Sequence, residues 1–341
     1  MRAMAPELRT LALTTASAEH CRRDLEQLPG VTVRERYDVG GSRDEELVSE
    51  GVRGAWAVVA GGERYSQAVL QGASPLHAIV RWGTGSDAID ISAATAAGVA
   101  VVTTPGVNAQ AVADLTLALM LACLRRLPEL DAAVRSGAWK LPEPSGDLAQ
   151  ATVGIVGLGA VGRAVTVRVR AFGATVIAVD PSPDREFCAA HGIELAALEQ
   201  MLPRVDVLTL HAPLTGATRR MLGARELALL APHAVLINTS RGQLIDQSAL
   251  VAALRERTIA AAGLDVFEHE PLAPGDPLTR LTNTVLSGHV ASFTRLGLRR
   301  TGAAVVADLL ELLAGRLPLS CLNPEAWGLH AAPDVAQPHP R

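Results

Sequence analysis

The chain alternates short apolar runs with longer segments in which apolar residues recur at helical spacing. In the first hundred residues the runs are LALT at 11–14, VTV at 31–33, AWAVVA at 55–60, HAIVRW at 77–82 and VAVV at 99–102. Almost continuous apolar runs separated by helical segments are typical of parallel strands that are covered by crossover helices. The pattern predicts a first doubly wound α/β domain.

A second series of apolar runs follows a predicted helix at 109–126 and a connector at 128–147 that is rich in Pro and Gly. Its runs are TVGIV at 152–156, TVIAVD at 175–180, VDVLTL at 205–210, AVLINTS at 234–240, IAAAGLDVF at 259–267 and NTVLSG at 283–288. These runs predict a second doubly wound α/β domain. The helical pattern at 296–313 has no strands of its own, so we expect it to return to the first domain.

The predicted fold class is therefore α/β, with two doubly wound parallel-sheet domains. We expect one domain to be discontinuous and to combine residues 1–103 with 291–328, and the other to span 104–290. The end of the chain, 329–341, is rich in proline and poor in apolar residues, and we expect it to be disordered.

Composition excludes several classes of partner. The 341 residues are 49% hydrophobic and 19% charged, which is enough apolar material for sizeable cores. Lys and Arg number 31 against 35 Asp and Glu, and the net charge is −4, so we expect neither nucleic acid nor an anionic membrane as a partner. The longest apolar stretch, near 115–124, is well short of the roughly 20 residues of a membrane span.

The cysteines and the start of the chain bear on location. Cys21, Cys123, Cys188 and Cys321 stand singly, without the spacing of a metal site, so we predict no metal. The N-terminal sequence MRAMAPELRT lacks the basic and apolar regions of a signal peptide. A reducing cytoplasm is the expected compartment.

The segment GLGAVG at 157–162 matches the dinucleotide-binding pattern G-x-G-x-x-G. A predicted strand precedes it and a helical pattern follows it. Gly157 allows the tight turn, Gly159 lets the backbone approach a pyrophosphate, and Gly162 allows close packing of helix and strand. Asp180 ends the next strand, where a carboxylate accepts hydrogen bonds from ribose hydroxyls and repels the extra phosphate of NADP. An ordinary glycine turn is the alternative, but the complete strand, helix and acid favour NAD.

Three further residues can carry chemistry on a carboxylate substrate. Arg241 follows a predicted strand, where a guanidinium can bind a carboxylate through two hydrogen bonds; a solvated surface arginine is the alternative. His289 follows the strand NTVLSG, and Glu270 follows the strand that ends in DVF. A histidine can exchange a proton near neutral pH, and a carboxylate contact would orient it and favour its charged form.

Several motifs in a fixed order give the chain a resemblance to a known family. They are RWGTGSDAID at 81–90, TPGVNAQAVADLTLALML at 104–121, GLGAVG at 157–162, HAPLT at 211–215, INTSRG at 237–242, LDVFEHEP at 264–271 and GHVAS at 288–292. The chain resembles the D-isomer-specific 2-hydroxyacid dehydrogenases. The resemblance implies a Rossmann NAD-binding domain, a flavodoxin-like substrate domain and, in most members, a homodimer.

The resemblance also implies residue roles. Arg241 would bind the substrate carboxylate, His289 would be the acid and base, and Glu270 would be its partner. The implied substrate-binding residues are Gly83, Thr84, Gly85 and Asn108. The implied cofactor-binding residues are Gly157, Leu158, Gly159, Ala160, Val161, Gly162, Asp180, His211, Pro213, Asn238, Thr239 and Asp265.

The implied reaction moves a hydride between the nicotinamide of NAD and the α carbon of a small 2-hydroxy or 2-keto acid. Two alternatives stay open: a dehydrogenase of a small anion such as formate, phosphite or a phosphonate, and an NAD-responsive binding protein like the C-terminal-binding-protein corepressors. Two residues depart from the family pattern. Ala88 stands where Asn is frequent, and Trp82 is bulkier than usual, so Trp82 either reshapes the substrate pocket or packs in the core.

Overall fold

The computed structural model describes residues 8–139 and 144–329. The chain divides into two compact units, one within Met1–Asn108 and Arg295–Arg341 and the other comprising Ala109–Thr294. Each unit contains one parallel sheet with helices, which confirms the predicted α/β class.

The structure defines the following elements. The strands are β1 (Arg9–Leu13), β2 (Val31–Glu35), β3 (Ala57–Ala60), β4 (Ala78–Arg81), β5 (Ala100–Val102), β6 (Thr152–Val156), β7 (Thr175–Val179), β8 (Glu194–Leu195), β9 (Val207–Leu210), β10 (Val235–Asn238), β11 (Ala261–Leu264) and β12 (Thr284–Leu286). The α-helices are α1 (Arg22–Glu26), α2 (Glu45–Val52), α3 (Gln67–Gln71), α4 (Ile91–Ala96), α5 (Ala109–Leu124), α6 (Leu127–Arg135), α7 (Ala160–Ala171), α8 (Arg185–Ala190), α9 (Leu198–Met201), α10 (Ala224–Leu227), α11 (Gln247–Arg255) and α12 (Arg295–Leu313). Short 3₁₀ helices occur at Ala16–Cys21, Tyr37–Val39, Leu202–Arg204, Gly242–Leu244, Pro277–Arg280 and Pro324–Leu329.

The first unit is built on a five-stranded parallel sheet in the order β2-β1-β3-β4-β5. Successive side chains of a strand point to opposite faces, so Leu11 and Leu13 pack with Leu309 of α12 while Ala12 packs with Val48 of α2. Helix α12 also contacts the 3₁₀ helix at Ala16–Cys21. The last long helix of the chain therefore belongs to the first unit.

The second unit is built on a seven-stranded parallel sheet in the order β12-β11-β10-β9-β6-β7-β8. Val207 of β9 joins the core that contains Val165 of α7, and the next residue, Leu208, joins the core that contains Leu250 of α11. Both faces of the sheet are thus buried under helices. The edge strand β8 was not predicted, because two residues are too few to produce a periodic pattern.

The predicted connector at 128–147 is partly wrong, because Leu127–Arg135 forms helix α6. Pro128 lies in the first turn of that helix, where a missing N–H costs no hydrogen bond. Ion pairs of Arg126 with Glu129 and of Arg135 with Asp131 lie along it. The proline therefore starts a helix here rather than preventing one.

Several helices begin at an aspartate that precedes the first helical residue. Asp90, Asp184 and Asp246 each accept a hydrogen bond from the backbone N–H three residues later, at 2.9, 3.0 and 3.1 Å. Such N-caps satisfy donors that the helix itself cannot pair. They set the starts of α4, α8 and α11.

The tail expected to be disordered, 329–341, falls almost entirely outside the described residues. Of it, the structure describes only Leu329, which ends the 3₁₀ helix Pro324–Leu329. Within the described ranges, no helix is both long enough and apolar enough to cross a membrane.

Candidate active site

The glycine turn at 157–162 joins β6 to α7 in the second unit. Gly157 has φ +93°, and a Cβ there would lie 2.7 Å from the carbonyl oxygen of His211. A Cβ on Gly162 would lie 2.0 Å from the carbonyl oxygen of Gly157, so α7 can approach the strand only with glycine at this position. A Cβ on Gly159 would meet nothing within 4 Å. The backbone before α7 is therefore open to a ligand, as pyrophosphate binding requires.

Asp180 follows β7 and is hydrogen-bonded to this turn. Its Oδ2 accepts from the N–H of Leu158 at 2.7 Å, and its Oδ1 accepts from the N–H of Ser182 at 2.8 Å. Ala160 is exposed and Val161 is partly exposed at the start of α7. The two backbone bonds hold the carboxylate beside the glycine turn, with lone pairs left to accept from ribose hydroxyls.

His211 lies directly after β9, against the glycine turn. Its Nε2 is 3.0 Å from Oγ1 of Thr209, and its Nδ1 is buried without a hydrogen-bond partner among the described residues. Burial lowers the pKa of His211 to about 3, so the ring is neutral at physiological pH. Pro213 is exposed two residues further on, where its carbonyl accepts from Thr218 at 2.6 Å.

These features fit an NAD molecule. The open backbone at Gly159 suits the pyrophosphate and the Asp180 carboxylate suits the ribose. The unpartnered Nδ1 of His211 is a buried polar atom that a bound ligand could satisfy.

The loop after β10 carries Arg241 and is held by its own side chains. Nδ2 of Asn238 donates to the carbonyl of Arg241 at 2.8 Å, and Oδ1 of Asn238 accepts from both the N–H and the hydroxyl of Ser240 at 3.0 Å. Oγ1 of Thr239 lies 2.8 Å from Oγ1 of Thr116 on α5. Asn238 and Thr239, which the resemblance assigns to the cofactor, thus fix the backbone on which Arg241 stands.

Gly242, which the sequence analysis did not single out, brings two loops together. A Cβ at this position would lie 1.9 Å from the carbonyl carbon of Phe267 and 2.0 Å from its oxygen. Nε2 of Gln243 adds a hydrogen bond of 2.8 Å to the carbonyl of Glu268. The loop of Arg241 therefore packs directly on the loop that leads to Glu270. The glycine that follows Arg241 in the motif INTSRG is the sequence feature that could have indicated this close contact.

Glu270 and His289 form a hydrogen-bonded pair in the same unit. Nδ1 of His289 is 2.7 Å from Oε2 of Glu270, whose Oε1 accepts from the N–H of Phe267 at 3.0 Å. Partial burial acts to raise the pKa of Glu270, but the hydrogen bond and charge of His289, the Phe267 N–H and the charge of Arg241 together lower it. Half of the His289 side chain is exposed. Its Nε2 is thus the nitrogen that can exchange a proton with a substrate.

Asp265 fixes the turn that carries His289. It is fully buried, and its carboxylate accepts from the hydroxyl of Ser287 at 2.6 Å and from the N–H groups of Val290 and Ala291 at 3.0 and 2.9 Å. Its own carbonyl accepts from the N–H of His289 at 2.7 Å, where the backbone has φ +55°. Asp265 was predicted to bind the cofactor, and the contacts observed here position the histidine.

The predicted substrate loop at Gly83, Thr84 and Gly85 belongs to the first unit. Gly83 has φ +128°, and its N–H donates to Oγ1 of Thr104 at 3.1 Å. Oγ1 of Thr84 donates to the carbonyl of Thr104 at 3.3 Å. Asn108, also predicted to bind substrate, is partly exposed at the end of this part of the chain.

The two departures from the family pattern have clear places in the first unit. Trp82 packs against the core beneath α12, and its Cη2 would lie 3.5 Å from a Cβ on Gly302. Its bulk is accommodated by a glycine of that helix, as the core-packing alternative expects. Ala88 uses its carbonyl to accept from the N–H of Tyr65 at 2.9 Å.

The second unit thus brings together two groups of predicted residues, one around the glycine turn and one around Arg241, Glu270 and His289. Across residues 8–139 and 144–329, no group of three or more His, Cys, Asp or Glu side chains could hold a metal ion.

Comparison with known families identifies the second unit. Residues 117–291 match the model of the D-isomer specific 2-hydroxyacid dehydrogenase NAD-binding domain. The chain belongs to this family. It is an NAD-dependent oxidoreductase of the 2-hydroxyacid dehydrogenase class, with the NAD-binding domain in its second unit.

Related proteins agree with the assignment. The dehydrogenase is 39% identical over 262 residues to the glyoxylate reductase of Korarchaeum cryptofilum, which covers 75% of this chain and 79% of the relative. It is 37% identical over 286 residues, or 83% of this chain, to the D-3-phosphoglycerate dehydrogenase of Methanocaldococcus jannaschii, but spans only 54% of that relative's length. The crystal structure of a Thermus thermophilus protein, TT0316, superposes with a TM-score of 0.82 at 36% identity, covering 92% of this chain and all of that one.

Proposed function

We propose that this dehydrogenase interconverts a small D-2-hydroxy acid and its 2-keto acid, with a substrate of about the size of glyoxylate or hydroxypyruvate. The observation that carries the proposal is the pair formed by Glu270 and His289 beside the Arg241 loop. The names of related glyoxylate reductases support the substrate class.

His289 donates and accepts the proton in this reaction. Glu270 holds Nδ1, so Nε2 gives a proton to the carbonyl oxygen during reduction and takes it from the hydroxyl during oxidation. Asp265 fixes the backbone at His289. NADH, when bound, supplies the hydride.

The substrate carboxylate is bound by Arg241. The planar guanidinium offers two parallel N–H donors to a carboxylate, and the Asn238 bond and the Gly242 contact hold the loop that presents it. The family resemblance also assigns the backbone N–H groups of Gly83, Thr84 and Gly85 to this carboxylate.

Asp180 is proposed to select NAD, which predicts a change in cofactor preference when it is replaced. Asp180→Ala loses the carboxylate that would accept from the ribose hydroxyls; one hydrogen bond to a charged group is worth about 1.5–3 kcal/mol, so kcat/KM for NADH falls by at least roughly ten- to hundredfold. NADPH gains relative to NADH because the repelling charge is gone. Measuring kcat/KM for both cofactors tests this.

A matched control for Asp180 is Asp44→Ala. This aspartate caps α2 in the first unit, where it accepts from the N–H groups of Glu46 and Leu47 at 3.0 and 3.3 Å, so its removal leaves the NADH to NADPH ratio unchanged. A wild-type enzyme that uses NADPH better than NADH at equal subsaturating concentration contradicts the proposed role.

The pair of Glu270 and His289 predicts a shift in the pH dependence of the rate. Nδ1 of His289 lies 2.7 Å from the Glu270 carboxylate, and a negative charge at that distance stabilises the imidazolium form of a histidine. Reduction needs the protonated ring and loses rate as pH rises. In Glu270→Gln this loss comes at lower pH, and the rising limb of the oxidation rate, which needs the neutral ring, also moves to lower pH. The measurement is kcat/KM against pH in both directions.

Glu268→Gln is the control for this shift. Its carboxylate lies two residues away and pairs with Arg220 at 2.7 Å, so both pH limbs stay in place. If the limbs of Glu270→Gln are also unmoved, the carboxylate does not tune the histidine.

We also propose a homodimer in the cytoplasm. Helix α6 buries none of its residues, and Leu127, Val134 and Trp139 are 58%, 54% and 82% exposed. Such large exposed apolar side chains support a partner surface near α6. The four cysteines are free thiols, as in a reducing compartment. The molar mass in solution tests the dimer.

The function itself is tested by following NADH absorbance with a panel of 2-keto acids that includes glyoxylate, hydroxypyruvate and pyruvate. We expect NADH oxidation with at least one of them. Turnover restricted to NAD with formate, phosphite or a phosphonate would instead favour the small-anion dehydrogenase. Cofactor binding without any turnover would favour an NAD-responsive binding protein.

A further inference from the structure

The first unit has a buried carboxylate at the switch point of its sheet. In the order β2-β1-β3-β4-β5, the chain passes to opposite sides of the sheet from the neighbouring strands β1 and β3. Open α/β sheets form a ligand-binding crevice at the carboxyl ends of such strands. Thr14 follows β1 and Gly61 follows β3, and the carboxylate of Glu63, which is fully buried, lies against both.

Glu63 is surrounded by hydrogen-bond donors. Its Oε1 accepts from the hydroxyl of Thr14, from the hydroxyl of Tyr65 at 2.9 Å and from the N–H of Gly61 at 3.0 Å. Its Oε2 accepts from the N–H of Gly41 at 3.3 Å. A buried carboxylate is costly unless it is fully hydrogen-bonded, and these donors meet that need. The protein's own side chain thus fills the crevice.

Tyr65 is the member of this cluster that is hydrogen-bonded to the end of the segment 83–90, which begins with the predicted substrate loop. Burial raises its pKa well above the ordinary value, so the phenol keeps the proton that it donates to Glu63. Its backbone N–H donates to the carbonyl of Ala88, and its carbonyl accepts from the N–H of Asp90, both at 2.9 Å. Asp90 in turn caps α4. The far end of the segment 83–90 is thus fastened to Tyr65.

The near end of the same segment has its own anchors. The N–H of Gly83 donates to Thr104, and Nη1 of Arg81 donates to the carbonyls of Ala60 and Trp82 at 3.3 and 2.8 Å. The loop between these anchors carries the backbone N–H groups assigned to the substrate carboxylate. The geometry of this loop depends on the hydrogen bonds at both ends of the segment.

We propose that Glu63 is a positioning residue for substrate binding, which acts through Tyr65 to hold the loop 83–90 in its binding geometry. The inference rests on the proposed function, in which Gly83, Thr84 and Gly85 bind the substrate carboxylate. Glu63 itself is fully buried, and its role is to fix the backbone that contacts the substrate.

Glu63→Gln tests this role with little change in volume. The amide has one oxygen and one NH2 group, so it cannot replace both carboxylate oxygens as acceptors. Its NH2 group must face either the three donors at Oε1 or the N–H of Gly41. We expect KM for the keto acid to rise roughly tenfold or more through misplaced N–H groups. KM for NADH stays unchanged because the second unit binds the cofactor.

Tyr65→Phe is the second variant, and it decides the question if Glu63→Gln does not fold. It keeps the carboxylate and the backbone bonds but removes one anchor, so KM for the keto acid rises by a smaller factor. Arg34→Met is the matched control. Arg34 donates to the carbonyls of Gly51 and Arg53 in the same unit, so its loss weakens the fold without touching the loop.

Amide hydrogen exchange of 83–90 gives a readout that does not need turnover. The exchange rises in Glu63→Gln and in Tyr65→Phe but not in Arg34→Met, because only the first two loosen the loop. Unchanged KM and unchanged exchange in the folded variants overturn the inference. A wild-type protein that reduces no keto acid would instead overturn the proposed function, while the exchange experiment still reports on the anchoring.

Discussion

Replacing His289 with alanine lowers kcat for keto-acid reduction by roughly 10²- to 10⁴-fold, the usual contribution of a positioned general acid. The reason is that Nε2 of this ring is the proposed proton donor, with Nδ1 held 2.7 Å from Glu270. NADH binding changes little, because the glycine turn and Asp180 lie elsewhere in the unit. Steady-state kinetics with saturating NADH and the best keto acid measure the loss.

His233→Ala is a close control for this variant. His233 also pairs with a carboxylate, with its Nε2 2.7 Å from Asp206, and its side chain is similarly exposed. It lies just before β10, at the opposite end of the strand from the Arg241 loop, so kcat is expected to stay within about twofold of the wild type. Equal losses in the two variants would remove His289 from the chemistry.

Arg241→Lys lowers kcat/KM for the keto acid by roughly ten- to hundredfold, from the loss of about 1.5–3 kcal/mol in hydrogen bonding to a charged group. Lysine keeps the charge but lacks the planar pair of donors that matches a carboxylate. We expect KM to rise at least as much as kcat falls, because binding as well as orientation depends on the guanidinium. Initial rates over a range of keto-acid concentration separate the two.

The control for this substitution is Arg204→Lys. Arg204 makes a two-pronged contact with Glu194 at 2.6 Å on the protein surface, so lysine there costs a surface ion pair and no activity. An unchanged kcat/KM in Arg241→Lys would show that Arg241 does not bind the substrate.

Much of the fold follows from local pattern. Apolar runs identified eleven of the strands named here. Most of these strands are buried on both faces and have to be apolar on both, while the edge strands β2 and β12 are only partly buried. The roles of the glycines at 157–162 could also be predicted from the sequence, because each glycine meets a local requirement: a positive φ, an open backbone or a close approach of two backbone segments. The predicted loop at 128–147 failed at α6 because a proline in a first turn is indistinguishable by composition from a proline in a loop.

The candidate site likewise contains residues that the sequence predicts and contacts that only the fold shows. Arg241, Glu270 and His289 could be named from residue type, from their place after predicted strands and from the ordered motifs. The sequence offered no means of seeing that Gly242 lies against Phe267, or that Asp265 is committed to the turn of His289. Those contacts join segments that follow different strands, so they depend on strand order and not on neighbouring residues.

Glu63 shows most clearly the difference between what the sequence predicts and what the fold decides. In the sequence it is one acid in a polar segment, GGERYS, where a solvated side chain is the ordinary expectation. In the fold it is fully buried among donors from the residues that follow β1 and β3 and from the loop at Gly41. The sequence by itself determined the strands, the glycine turn and the candidate catalytic residues, because each of these depends on a few adjacent positions. Burial and hydrogen-bond partners were decided only by the tertiary structure, because they arise where distant segments meet.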